Sequence, residues 1–291
     1  NYGDGLYGGM FISAMYAAAF FADDVVKIVE AGVAAIPNGS GYARAIRDAL
    51  ASFRRHPTSW REGWRAINAA WDGRDGCPEG ALTRFNIDAR LNGAYVALGL
   101  LYGGGDFART LELTTRMGQD SDCNPASAAG VLGVVLGYRG IPTRFTSGMP
   151  KLAGRRFKHT KYSLNSIVAS TLARALRVVR EAGGRVTDEA VRVPLQAPRP
   201  VALEQWSIGV PTARIGVDDV RWKFAGKWET AGKRDTIWLT ELQRRISLAA
   251  GNEATLKFEG TGVAIVGRAT PQGGKAEPVS YTHIRAHETR R

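Results

Sequence analysis

The sequence predicts a mainly α-helical protein that ends in a small β module, and three observations carry this prediction. Apolar residues recur at helical spacing through the first two-thirds of the 291-residue chain. The composition then changes, with four prolines from Pro194 to Pro211. Beyond these prolines, aromatic and β-branched residues alternate with polar ones, as is typical of strands. The length is sufficient for one large domain or two ordinary domains.

Several helices are predicted in the first part of the chain. The stretch "DDVVKIVEAGVAAIP" ends at Pro37, and its acidic pair, Asp23 and Asp24, is interpreted as an exposed helix start. The stretch "SGYARAIRDALASFRRHP" begins at a capping residue, Ser40. Further helices are predicted in "SWREGWRAINAAWDG", in "FNIDARLNGAYVALGLLYGGGDFARTLELTTRMG", from residue 126 to 137, and in "SLNSIVASTLARALRVVREAGG".

These patterns predict four regions along the chain. An all-α domain covers residues 1–185, and a Pro-rich linker covers residues 186–211. An incomplete β-sandwich module covers residues 212–277. Residues 278–291 match neither pattern and are interpreted as a non-native tail. Because the chain starts at Asn1 and leads directly into apolar helix, an upstream part of the α domain is expected to be missing.

Composition restricts the class of partner. A net charge of +12 suits a polyanion, but the basic residues are dispersed and no nucleic-acid-binding motif is present, so nucleic acid is not expected. The longest apolar runs have about twelve residues, whereas a bilayer requires roughly 20, so no membrane is expected either. Cys77 and Cys123 lack metal-ligand spacing, and a disulfide between them stays open.

The clearest candidate site lies in "GQDSDCNPASAAG", residues 118–130. Asp120 and Asp122 alternate along the chain, so both carboxylates can face one centre, and oxygen ligands select hard cations. An EF-hand is excluded because Pro125 and Val131 replace its glycine and its glutamate. Asn124, followed by proline, predicts the start of the next helix. The alternative is that one aspartate merely caps that helix.

The opening "NYGDGLYGGM" is the second candidate site. Glycine lacks the side chain that keeps backbone N–H groups away from a phosphate, and a helix expected to begin near Phe11 would add a favourable N-terminus. The stretch matches neither a Walker loop nor a Rossmann fingerprint. It is interpreted as a ligand-binding segment, with an ordinary glycine-rich turn as the alternative.

Three stretches together resemble the ADP-ribosylglycohydrolase family over residues 1–185: "NYGDGLYGGMF", "FNIDARLNGAYVALGLLYGGGDF" and "GQDSDCNPASAAGVLGVVLGYRGIP". The resemblance implies an all-α fold with two Mg²⁺ ions at the mouth of a cleft, with Mn²⁺ as an alternative ion. It also implies hydrolysis of the bond between the anomeric carbon of ADP-ribose and a protein side chain or related acceptor.

The resemblance also implies roles for single residues. Asp120 and Asp122 would be metal ligands, and Cys123 would stand where the family usually has a metal-binding threonine. That replacement is a departure, because a soft thiol suits Mg²⁺ poorly. The family's Thr-Asp-Asp motif and early glutamate have no match here, so the catalytic residue is expected upstream of residue 1. Substrate-binding residues would be Gly3, Asp4, Gly5, Gly8 and Gly9.

Two alternatives to a hydrolase stay open. The first is a non-catalytic ADP-ribose- or carbohydrate-binding protein, which the replacement of threonine by Cys123 favours. The second assigns glycan binding to the β module through its tryptophans, with ordinary sheet packing as the competing interpretation. These tryptophans are Trp206, Trp222, Trp228 and Trp238.

Overall fold

The computed structural model describes residues 3–74, 87–195, 201–204, 212–233, 243–267 and 274–277. The chain divides into two compact units, Asn1–Thr212 and Ala213–Arg291, and the mainly helical prediction is confirmed. The first unit begins with helices α1 (Gly3–Ala19), α2 (Val25–Ala34), α3 (Gly41–Arg55), α4 (Trp60–Trp71), α5 (Ala89–Gly103), α6 (Phe107–Arg116) and α7 (Cys123–Gly140).

Helix α5 forms the centre of this unit. Every residue from 91 to 103 is buried, as expected for a helix that is apolar on all sides. Neighbouring helices α3, α4, α6 and α7 pack around it. Glycines allow this close approach, since a side chain at Gly93 would overlap the Tyr42 hydroxyl and one at Gly99 would overlap Thr114. Burial of each large apolar side chain in this core contributes about 1.5–3 kcal/mol.

Side-chain caps define where the helices begin. Asp24 accepts hydrogen bonds from the backbone N–H groups of Val26 and Lys27, which confirms the predicted start of α2. Ser40 caps α3 as predicted, and its hydroxyl accepts from the Ala43 N–H group. Such caps satisfy N–H groups that lack a partner within the helix, each contributing about 1 kcal/mol.

The glycine-rich opening is helical, so the expectation of a helix that begins near Phe11 is wrong. Helix α1 begins at Gly3, and the side chains of Tyr7, Phe11 and Met15 are all buried. Each interior glycine disfavours a helix by about 1 kcal/mol relative to alanine. Burial of three large side chains on one face outweighs that cost.

The remainder of the first unit contains short elements and one long helix. They are α8 (Thr143–Thr146), α9 (Met149–Leu152), α10 (Leu164–Glu181), β1 (Arg185–Val186) and β2 (Val191–Arg192). Strands β1 and β2 pair antiparallel across the predicted boundary at residue 185, so the start of the range predicted to be a linker has regular structure. Helix α10 begins with a capping box formed by Ser163 and Ser166.

The second unit contains strands where the alternating pattern predicts them. Strand β3 (Trp222–Ala225) pairs antiparallel with β6 (Glu253–Leu256), and β4 (Trp228–Ala231) pairs antiparallel with β5 (Arg244–Ser247). Assembly of these pairs into a β-sandwich stays a prediction. The predicted tail at 278–291 lies outside the described residues, as do Cys77, Trp206 and Trp238. No helix of the described ranges has both the length and the apolar character needed to cross a bilayer.

Candidate metal centre

The connection between α6 and α7 turns sharply before the paired aspartates. Gly118 and Gln119 both adopt left-handed backbone conformations, with φ of 87° and 58°. Glycine adopts this conformation freely, whereas it costs a residue such as Gln119 about 1 kcal/mol. The indole N–H of Trp64 donates to the Met117 carbonyl at 2.9 Å and anchors the start of the turn on α4.

Asp120 is held through its backbone as well as its side chain. Its N–H group donates to Oδ1 of Asn92 at 3.1 Å, and its carbonyl accepts from the Asn124 N–H group at 3.1 Å. Its carboxylate accepts a hydrogen bond from the Cys123 N–H group at 3.3 Å. Asp120 is half-buried, so its carboxylate lies at the surface while its backbone is fixed to the core.

Helix α7 begins two residues earlier than a cap at Asn124 would indicate. Asp122 is the N-cap, and its Oδ1 accepts from the Cys123 N–H group at 2.8 Å, so the prediction that Asn124 caps this helix is wrong. Asn124 is 4 % exposed and its side-chain amide donates to Asn92 Oδ1 at 2.6 Å. The amide is therefore used in the core instead of at the helix end.

The donor atoms of Asp120, Asp122 and Cys123 form a group that could hold a metal ion, because they all lie within 4.8 Å of one another. The two carboxylates provide oxygen donors of the kind that hard cations prefer. Asp122 and Cys123 are exposed, so the group is open to solvent on one side. Asp122 does cap α7, as the alternative interpretation expected. The two roles are compatible, because one carboxylate oxygen can cap a helix while the other faces a cation.

Electrostatics distinguish the carboxylates from the thiol. The pKa of Asp122 lies below its ordinary value because its carboxylate hydrogen-bonds with Asp120 and accepts from the Cys123 N–H group. The pKa of the Cys123 thiol is raised, first by its hydrogen bond to Asp120 and then by the charges of Asp120 and Asp122. Asp122 is thus ionised at neutral pH, whereas Cys123 keeps its proton and is a free, exposed thiol.

Four of the five predicted substrate-binding residues of α1 fall into two groups. Asp4 and Gly8 have structural contacts: the Asp4 carboxylate accepts from the Tyr42 N–H group at 2.9 Å, and a Cβ at Gly8 would lie 3.0 Å from the Tyr42 ring. Gly5 and Gly9 are exposed one turn apart, and a Cβ at either would meet nothing within 4 Å. The open face of α1 therefore carries two glycines that packing does not explain.

Gly3 lies at the first position of α1 and contacts a segment that is distant in sequence. Its N–H group donates to the Glu204 carboxylate at 2.7 Å, and the Glu204 N–H group donates to the Tyr7 hydroxyl at 2.6 Å. Helix N-termini attract anions. The Glu204 carboxylate therefore lies at a helix N-terminus, which is where the sequence predicted a ligand phosphate.

The first turn of α5 joins the two candidate segments. Arg90 pairs with Asp88 at 2.9 Å and lies 3.9 Å from the Asp4 carboxylate. Two residues along the same helix, Asn92 accepts from the Asp120 N–H group. Asp4 and Asp120 are therefore linked through a single helical turn. Sequence reasoning gave these α5 residues no role, although polar residues at the start of an otherwise apolar helix were a usable signal.

Comparison with known proteins gives one match. No curated protein and no solved structure matches the chain. The family model described as ADP-ribosylglycohydrolase matches residues 1–187, a range that includes both α1 and the Asp120 turn. The match covers well over half of the chain and ends close to the last helix of the first unit. The chain therefore belongs to the ADP-ribosylglycohydrolase family.

Proposed function

We propose that this protein is a metal-dependent hydrolase that cleaves the glycosidic bond between ADP-ribose and a protein side chain or related acceptor. Family membership supports hydrolysis of an ADP-ribose linkage. The observation that supports metal dependence is the convergence of the Asp120 and Asp122 carboxylates at one exposed place. The acceptor is proposed by class alone, because no contact in the described residues distinguishes one side chain from another.

The donor set fits a hard divalent cation, for which we propose Mg²⁺, with Mn²⁺ as a substitute. Asp120 and Asp122 would hold it, and two ions are expected from the family pattern. Cys123 fits less well, since its thiol keeps its proton beside two carboxylates and is a soft donor. A bound magnesium ion would supply Lewis-acid polarisation and would orient the ribose hydroxyls and a water molecule.

The chain's own residues then bind and orient the substrate. The Asp122 carboxylate and that of the core-anchored Asp120 form a pair of neighbouring oxygen donors at the surface. Gly5 and Gly9 leave the exposed face of α1 without side chains, so a sugar or diphosphate can approach the helix closely. Gly3, Asp4 and Gly8 would contribute by shaping this face, since each already has a protein contact.

The test uses the full chain and an ADP-ribosylated peptide. Asp120→Ala/Asp122→Ala should abolish Mn²⁺ binding, and any release of ADP-ribose should require a divalent cation. The matched control is Asp23→Ala/Asp188→Ala, which removes the same charge at exposed positions and should bind Mn²⁺ normally. Full activity in chelator, or an unimpaired Asp120/Asp122 variant, would contradict the proposal.

A second candidate is a protein that binds ADP-ribose without cleaving it. The protonated Cys123 thiol in place of a metal-binding threonine favours this candidate. Calorimetry would separate the two functions, because the binding protein would retain ADP-ribose with or without metal and would release none from a peptide.

Glycan contact by the β module is a separate proposal. The Phe224 ring lies 5.6 Å from that of Trp222 and 5.2 Å from that of Trp228, so these rings already pack on one another. A glycan-binding role would require that Trp228→Ala lowers carbohydrate retention while the melting temperature is unchanged. A fall in melting temperature alone would support sheet packing.

A further inference from the structure

Asn92 is not one of the donors of the metal-binding group, yet its side chain ties this group to the core. It is 7 % exposed and belongs to the buried surface of α5. Its Oδ1 accepts from the Asp120 N–H group at 3.1 Å and from the Asn124 side-chain amide at 2.6 Å. Its own amide donates to the Asp88 carbonyl at 2.9 Å. The side chain is therefore oriented from both ends.

A single oxygen atom thus holds both ends of the metal-binding segment. Asp120 enters the segment and Asn124 ends it in the first turn of α7, with Asp122 and Cys123 between them. Because residues 120 and 124 are fixed to the same atom, the chain between them can vary little in direction. Buried polar groups are nearly always satisfied, so loss of this oxygen would release two donors at once.

We infer that Asn92 is a positioning residue that holds Asp120 and the start of α7 so that the Asp120 and Asp122 carboxylates converge. The inference rests on the proposed function, since convergence matters only if these carboxylates hold a metal ion. Groups that orient metal ligands from behind typically change metal affinity by 10–100-fold when they are removed. A purely structural asparagine would instead lower stability without a selective effect on this segment.

The experiment compares the full chain with Asn92→Ala and with the control Asn68→Ala. Asn68 is also a helical asparagine, and its Oδ1 accepts from the buried Tyr95 hydroxyl at 2.7 Å, a contact that includes none of residues 120–124. Two quantities are measured: Mn²⁺ affinity by electron paramagnetic resonance, and hydrogen exchange of the Asp120 amide without metal. Asn92→Ala should weaken Mn²⁺ binding at least about tenfold and speed Asp120 exchange about tenfold. Asn68→Ala should change neither.

The outcomes separate this inference from the proposed function. If the unmodified chain binds no Mn²⁺ but Asn92→Ala speeds Asp120 exchange, the metal proposal fails and the positioning role stands. If Asp120 exchange is unchanged, the positioning role is overturned whatever the Mn²⁺ affinity. Should Asn92→Ala fail to fold, Asn92→Asp retains an acceptor oxygen and should keep the Asp120 amide protected. Loss of that protection in a folded Asn92→Asp protein would also overturn the inference.

Discussion

Gly130 of α7 lies directly against the Tyr16 hydroxyl of α1, so that any side chain at position 130 would overlap the phenol oxygen. Glycine is therefore required at this crossing by sterics, and α7 owes its small-residue composition partly to this contact. The crossing matters for the candidate site because α7 carries the paired aspartates at its start while α1 carries the exposed glycines.

We predict that Gly130→Ala destabilises the protein by about 1–3 kcal/mol, because overpacking forces helices apart. Gly133→Ala is the matched control: its Cβ would meet only Ile141 at 3.8 Å, an ordinary contact. Thermal unfolding measures both variants. Adding Tyr16→Phe, which removes the overlapped oxygen, should recover part of the loss in Gly130→Ala. Additive effects of the two substitutions would argue against this crossing.

The exposed glycines of α1 predict opposite effects on stability and on binding. Gly5→Ala/Gly9→Ala should raise the melting temperature, since each change favours the helix by about 1 kcal/mol and neither Cβ meets another atom. The same variant should weaken ADP-ribose binding, measured by calorimetry, if this face contacts the ligand. Gly133→Ala provides a helix-stabilising change elsewhere. Unchanged binding in the stabilised Gly5/Gly9 variant would remove α1 from the substrate site.

Alkaline pH should destabilise the first unit through buried tyrosines. Burial raises the pKa of Tyr95 to about 12, from an ordinary value near 10. Because the pKa of Tyr95 is higher in the folded protein than in the unfolded chain, its ionisation opposes folding. The contribution of neutral Tyr95 to the free energy of unfolding is fully present below pH 10 and is lost as the pH rises toward 12. A shift of this size corresponds to about 2–3 kcal/mol. The pKa of Tyr42 is also raised by burial, so it adds to the loss in the same direction.

The measurement is the free energy of unfolding between pH 9 and pH 11 for Tyr95→Phe and for Tyr138→Phe, a change at a tyrosine that is 62 % exposed. Tyr95→Phe should flatten the alkaline decline, whereas Tyr138→Phe should leave its slope unaltered. Equal slopes in all three proteins would show that Tyr95 does not govern alkaline stability.

The fold was largely predictable because it depends on local periodicity. Helices α2 and α3 were located from spacing and capping residues, and Asp24 and Ser40 cap them as expected. Helix α1 was predicted too short because its glycines indicated a turn. The decisive factor was the burial of Tyr7, Phe11 and Met15 on one face, which depends on neighbours far away in the sequence.

The candidate site was predictable only in part, for the same reason. Asp120 and Asp122 are only two residues apart, so their spacing alone predicts that both carboxylates face one centre, and their donor atoms do converge. The anchoring role of Asn92 depends on the approach of α5 to the start of α7, across 28 residues of chain. No local pattern distinguishes an asparagine that will meet a partner there from one that faces solvent.

The sequence by itself determined the helical class, most helix starts, the family and the two aspartates, because each of these depends on residues that are only a few positions apart. Only the tertiary structure decided that α1 is helical from Gly3, that Asp122 caps α7, and that Asn92 ties Asp120 and Asn124 to the core. These features arise from close packing of helices. One buried oxygen, or one glycine that lacks a side chain, then contacts residues that are far apart in the sequence.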